Sequence, residues 1–127
     1  MKKQNNNQLG CVEFCRKCKV IKAHTSTNSD PLIFEKGDKL GVGKEYSQNP
    51  NWSNWIECTS DKGQRGWVPN QYLNISGNIG TALCDYSAKE LNVHVGDEIT
   101  IYKFANGWAW SKNTKGEYGW VPIENIA

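Results

Sequence analysis

The chain reads as all-β, in two small units of one kind in tandem, and three observations predict this. The tetrapeptide Gly-Trp-Val-Pro occurs at 66–69 and again at 119–122. Around each copy, short runs that alternate polar and apolar residues are punctuated by glycine and asparagine turns, the pattern of half-buried strands. No segment carries a sustained apolar stripe at helical spacing, which leaves room for at most a tight helical turn beside the prolines.

The elements follow in chain order. Residues 1–15 read as an N-terminal extension, residues 16–74 as the first domain, 75–81 as a short linker and 82–127 as the second domain. The stretch Leu32–Leu40, LIFEKGDKL, answers Leu91–Ile99, LNVHVGDEI, with Gly-Asp at the same place in each. The insertion Lys44–Asn54 lengthens the loop before Trp55 and adds Tyr46 and Trp52. Trp55 and Trp108 each stand eleven residues before the glycine of their Gly-Trp-Val-Pro block. The blocks themselves extend backwards as Lys62–Pro69, KGQRGWVP, and Lys115–Pro122, KGEYGWVP. A repeat of roughly sixty residues is a duplicated domain rather than a solenoid.

Strands are clearest in the second copy. Glu98–Tyr102 alternates with period two, Asn106-Gly107 gives a turn, and Trp108–Lys112 gives the next strand. Asn113–Gly116 is a hairpin turn in which glycine takes positive φ, and Tyr118–Val121 is the returning strand. His94, between Val93 and Val95, alternates outward on a strand. Because side chains alternate along a strand, Trp108 and Trp110 share one face while Ala109 and Ser111 share the other. In the first copy Trp55 and Glu57 oppose Ile56 and Cys58. The small or aliphatic face suits a tight interior, so the tryptophans are expected to point outwards, where a large aromatic needs a reason.

These residues resemble the Src-homology 3 (SH3) family. Ala82–Ile126 carries a version of its A-L-x-D-Y start, an E-L followed by Gly-Asp, the Gly-Trp of a strand and the G-x-x-G-W-V-P block. Residues 19–74 resemble it more loosely, and the whole is similar to bacterial proteins built from two tandem variant SH3 domains. The resemblance implies two small five-stranded β-barrels, each with a shallow aromatic strip. That strip is formed by the start motif, the strand tryptophan, and the aromatic, proline and final tyrosine around the last block. It suits extended polyproline segments, which lose little entropy on binding. By position the second copy supplies Tyr86, Trp108, Trp120 and Pro122, with Glu90 as its acidic specificity residue. It departs from the pattern at Cys84 and Asn125, each in a tyrosine position. The first copy supplies Trp55, Trp67, Pro69 and Tyr72, with Asp30 in the loop and His24 in a tyrosine position.

Composition narrows the function classes. The 127 residues are 38% hydrophobic and 22% charged, an ordinary globular balance. No apolar run approaches the roughly 18 residues of a membrane span, and the polar N-terminus lacks the apolar stretch of a secretory signal. Five cysteines at uneven spacing are not a secreted disulfide framework, so a cytoplasmic protein with free thiols is expected. Cys15-x-x-Cys18, with Cys11 nearby, lacks the second ligand pair of a zinc site, and neither metal nor cofactor is expected. Two histidines outside any catalytic motif give no convergent nucleophile and base, and no enzyme is expected.

Net charge is +2, unevenly shared: residues 14–73 hold nine Lys/Arg against six Asp/Glu, and residues 74–127 four against six. Neither half shows a concentrated basic stripe, and the acidic second half disfavours nucleic acid. The expected function is non-enzymatic recognition of an extended segment of a partner protein. Two alternatives stand beside it: single-stranded nucleic acid stacked on exposed tryptophans, and a structural role with the aromatics buried between the domains.

Overall fold

The alternation predicted at Glu98–Tyr102 lies within a longer strand, and the strands predicted at Trp108–Lys112 and Tyr118–Val121 appear with the same limits or one residue more. The computed structural model describes residues 15–47 and 53–127. Its strands are β1 (Arg16–Lys19), β2 (Ile33–Phe34), β3 (Lys39–Glu45), β4 (Trp55–Thr59), β5 (Arg65–Pro69), β6 (Leu73–Ser76), β7 (Ile79–Ala82), β8 (Tyr86–Ser87), β9 (Glu98–Ala105), β10 (Trp108–Lys112) and β11 (Tyr118–Pro122). A single 3-10 turn follows each proline of the repeated block, at Asn70–Tyr72 and Ile123–Asn125. Asn106 and Gly107 both take positive φ, 49° and 92°, as a two-residue hairpin turn requires. The chain is all-β in two units, as the sequence predicts.

The units are not the two sequence halves. One comprises Asp30–Ala88; the other combines residues 15–29 with Lys89–Ala127. Each therefore takes its start segment from one repeat and its remaining strands from the other. In the 30–88 unit the sheet order is β5-β4-β3-β7-β6, with β2 paired to β8. In the second unit the order is β1-β9-β10-β11.

The predicted linker at 75–81 explains the exchange. It is not a tether but a hairpin, β6 pairing antiparallel with β7 from Leu73↔Ala82 to Ser76↔Ile79. Only Gly77 and Asn78 remain in the loop, with Gly77 at φ +62°, and glycine at the first position of a two-residue loop is a favoured hairpin turn. Closing two residues costs far less chain entropy than closing a whole domain. The last strand of the first repeat therefore pairs with the start of the second. Strand β1, the start of the first repeat, takes the matching place beside β9 as Arg16↔Ile101 through Lys19↔Glu98.

The two Gly-Asp turns record the exchange in equivalent bonds. Gly37 and Gly96 both have φ of +94°. Asp38 Oδ2 accepts from the Glu35 N–H at 3.0 Å, and Asp97 Oδ2 from the His94 N–H at 2.9 Å. The Gly37 N–H donates to the Ala82 carbonyl and the Gly96 N–H to the Val20 carbonyl, each a residue of the other repeat. His94 is exposed as expected, but it opens this turn rather than lying on a strand.

The core of the second unit is built from Cys18, Val20, Leu91, Val93, Ile99, Ile101, Ala109 and Val121, with Ile126 packed against it. Two of these come from the first repeat. In the 30–88 unit the buried set includes Leu32, Phe34, Leu40, Ile56, Cys58, Val68, Leu73 and Ala82. The inward face predicted from parity is correct, since Cys58, Ala109 and Ser111 are fully buried.

The repeated block has a steric reason for its glycine. A Cβ on Gly66 would lie 3.0 Å from Leu32 Cβ and 3.1 Å from Ala88 Cβ; one on Gly119 would lie 2.8 Å from the Leu91 nitrogen. At both positions a crossing segment presses on the strand. Val68 and Val121 are core, and Pro69 and Pro122 are buried at the ends of β5 and β11.

Candidate functional site

Exchange of the start segments redistributes the predicted strip residues. Tyr86 does not join Trp108, Trp120 and Pro122 of its own repeat; it lies in the 30–88 unit with Trp55, Trp67, Pro69, Tyr72 and Asp30. His24 likewise leaves its repeat and joins Glu90, Trp108, Trp120 and Pro122. The repeat-by-repeat grouping is corrected accordingly, because hairpin β6–β7 joins the second start motif to the first repeat's strands while β1 pairs with β9.

In the 30–88 unit, β8 holds Tyr86 against β2, and its ring lies 5.2 Å from Phe34 and 5.6 Å from Tyr72. The Tyr86 hydroxyl donates to the Trp67 carbonyl at 2.6 Å. This bond ties the start motif of the second repeat to the Gly-Trp-Val-Pro block of the first. Trp67 is half-buried, and Tyr46, at the end of the lengthened loop, meets its ring edge-on at 5.2 Å. Trp52, the other aromatic of that loop, lies outside the described residues. Asp30 is exposed and accepts from Gln64 Nε2 at 2.9 Å. Pro69 is fully buried and pairs across the ladder with Trp55.

In the second unit the tyrosine position is filled by His24. Its Nε2 lies 2.7 Å from Glu90 Oε1, and its ring meets Trp108 edge-on at 5.4 Å. Glu90, predicted as a specificity acid, is therefore engaged by an imidazole of the same unit. Asn125 replaces the other tyrosine and is buried. It donates from Nδ2 to the Ala23 carbonyl at 3.2 Å, while its own carbonyl accepts from the Ile21 N–H at 2.7 Å. The residues that depart from the family pattern here hold the exchanged segment in place.

Two expectations are overturned. Trp55 and Trp108 are not outward and accessible; they retain only 6% and 9% of their exposure. Parity assigns the correct side of the strand, opposite Ile56 and Ala109, but alternation does not say what covers that side. For Trp108 the cover includes His24, brought by a segment more than eighty residues upstream. Trp120 is also buried, at 3%. Base stacking on Trp55 thereby loses its premise. Among the described residues, the Phe, Trp and Tyr side chains that remain accessible are Trp67 and Tyr46 in one unit and Phe104, Tyr102, Trp110 and Tyr118 in the other. The last three were not predicted as site residues, although Trp110 and Tyr118 stand at alternate strand positions where the sequence offered a signal.

Cys58 and Cys84 are buried. Cys18 is in the core of the second unit, Cys15 is exposed, and Cys11 lies outside the described residues. Among the described residues no three His, Cys, Asp or Glu side chains gather as metal ligands. Burial, with a smaller contribution from the Glu57 charge, pushes the Cys58 thiol up to about 11. Among the described residues no helix is long and apolar enough to cross a membrane.

The chain is 39% identical over 49 residues to the SH2/SH3 adapter protein dreadlocks of Drosophila melanogaster, a match that spans 39% of this chain and 8% of that protein. No solved structure matches. The variant SH3 domain family matches residues 17–76 and again 80–127, nearly the whole length, and the chain belongs to that family.

Proposed function

We propose that the chain is a non-enzymatic module that binds an extended segment of a partner protein on the aromatic strip of the 30–88 unit. The observation that carries this reading is the gathering of Tyr86 with Trp67, Pro69 and Tyr72 in one unit, beside Tyr46. Trp67 and Tyr46 offer the accessible surface, while Tyr72 and Tyr86 form its buried backing. This unit has five Lys/Arg and seven Asp/Glu, Asp30 among them, so a basic, proline-containing segment suits it best. The non-enzymatic reading is supported by membership of the variant SH3 domain family, whose members are binding modules. Among the described residues four cysteines are free thiols, which supports a reducing, cytoplasmic setting.

The test is amide chemical-shift mapping with ten-residue peptides that combine a P-x-x-P core with flanking arginines. Shifts should concentrate at residues 30–47 and 64–88, and Trp67→Ala should weaken binding by about 2 kcal/mol, as loss of a central aromatic anchor does. Shifts confined to residues 108–125, or none, would contradict the assignment. The burial of Trp55 and Trp108 favours a second reading, in which the aromatics are structural. Silence of every peptide together with a large loss of stability in Trp55→Ala would establish it.

A further inference from the structure

The exchange also reverses the charge pattern of the sequence. Residues 15–29 carry four Lys/Arg and no acid, and they join residues 89–127, so the second unit holds eight Lys/Arg against five Asp/Glu. Two of the added lysines land on the outer face of its sheet. Register places one solvent-side row as Lys17–Thr100–Lys112–Tyr118, and the next as Lys103–Trp110–Trp120. A β-bulge opposite Trp110 and Ser111 leaves Tyr102 as the extra residue, and bulges re-aim side chains. Its ring lies 5.8 Å from Tyr118, on the same face.

The rings form a continuous surface. Trp110 stacks on Tyr118 at 6.2 Å and 17°, and Trp120 meets Trp110 edge-on at 5.3 Å beneath it. Lysine ammonium groups are interleaved with the rings, with Lys112 Nζ 5.7 Å from the Tyr118 centroid and Lys103 Nζ 5.9 Å from that of Trp120. Lys17 and Lys19 lie along β1 at the edge, and Glu98, opposite Lys19, is the acid on this face.

We infer that this face binds single-stranded nucleic acid. A nucleotide strand brings one phosphate and one flat base per residue, and here Lys112 sits within 6 Å of the exposed Tyr118 ring, so a phosphate held by that lysine sets its base over the aromatic. Ordinary protein partners fit less well, because lysine is depleted from protein interfaces while this face carries four. The face belongs to the other unit from the peptide strip, and the two assignments stand or fall separately.

The test is fluorescence anisotropy of the full 127-residue chain with labelled twelve-residue oligo(dT) and oligo(U). Binding should weaken as salt rises, with a slope of about −0.7 per phosphate neutralised. Lys112→Gln should reduce that slope by about 0.7, whereas Lys62→Gln, in the other unit, should leave it unchanged. Tyr118→Ala should weaken binding about tenfold and Tyr118→Phe should restore it, since the ring and not the hydroxyl stacks. Unchanged circular dichroism of each variant establishes that it is folded. Any of three results would overturn the inference: no anisotropy change at 50 mM salt and millimolar protein, equal binding of a twelve-base-pair duplex, or displacement of oligo(dT) by a twelve-residue polyglutamate. The last would assign the face to an acidic peptide.

Discussion

The two Gly-Trp-Val-Pro blocks share every residue and differ in what surrounds them. In the 30–88 unit Trp67 stays half-exposed beside Tyr46, its carbonyl is capped by Tyr86, and the tyrosine after the proline is present as Tyr72. In the other unit Trp120 is covered by Trp110 and Lys103, the start tyrosine is His24 bonded to Glu90, and the final tyrosine is Asn125 bonded to Ala23. The same tetrapeptide thus keeps its tryptophan half-exposed in one place and buried beneath an outer-face aromatic layer in the other. Its glycine and valine do identical work in both, close approach and core. Its tryptophan takes its role from neighbours supplied by the opposite repeat.

The largest expected effect tests whether the units really draw on both repeats. Val20 is 1% exposed in the core of the second unit. Val20→Asp buries an unpaired carboxylate there and should cost about 4 kcal/mol. Hydrogen exchange should lose protection at residues 99–121 and keep it at 55–68. Loss at 55–68 instead would mean that the sequence halves fold as the units.

A smaller contrast separates the two block glycines. Gly119→Ala drives a Cβ into the backbone of Glu90 and Leu91, whereas Gly66→Ala meets the side chains of Leu32 and Ala88. Urea unfolding should show a loss of about 3 kcal/mol at 119 and about 2 kcal/mol at 66, since 2.8 Å from the Leu91 nitrogen forces a backbone shift whereas 3.0 and 3.1 Å from the Leu32 and Ala88 Cβ atoms asks their segments to give by a few tenths of an ångström. Equal losses would erase the difference drawn between the crossing segments.

The smallest effect distinguishes two equivalent core positions. Cys58 and Ser111 are both fully buried, and each points its polar atom at the carbonyl two residues earlier. Only the thiol titrates. Its proton is held up to about 11 in the folded chain against an ordinary 9.0, so the stabilisation is complete below pH 9 and is lost as pH rises towards 11. That loss should reach about 2 kcal/mol and be missing from Cys58→Ser. Parallel pH profiles of the two proteins in urea unfolding would contradict it.

The sequence by itself determined the strands, the turns and the inward face. Alternation at 98–102 and 108–112, Asn106-Gly107, and the paired Gly-Asp turns depend on local sterics and hydrogen bonds, and local rules suffice for them. It also marked Trp55 and Trp108, Trp67 and Trp120, and Pro69 and Pro122 as equivalent positions, because their types and order persist in each repeat. Tertiary structure alone decided which of them meet. A two-residue loop at Gly77 and Asn78 makes a neighbouring strand the cheapest partner, and that choice sends Tyr86 to Trp67, His24 to Trp108, and two lysines to an aromatic face the second repeat builds without them. Burial of Trp55 and Trp108 was hidden for the same reason, since the period of a strand names a side and only distant chain segments cover it.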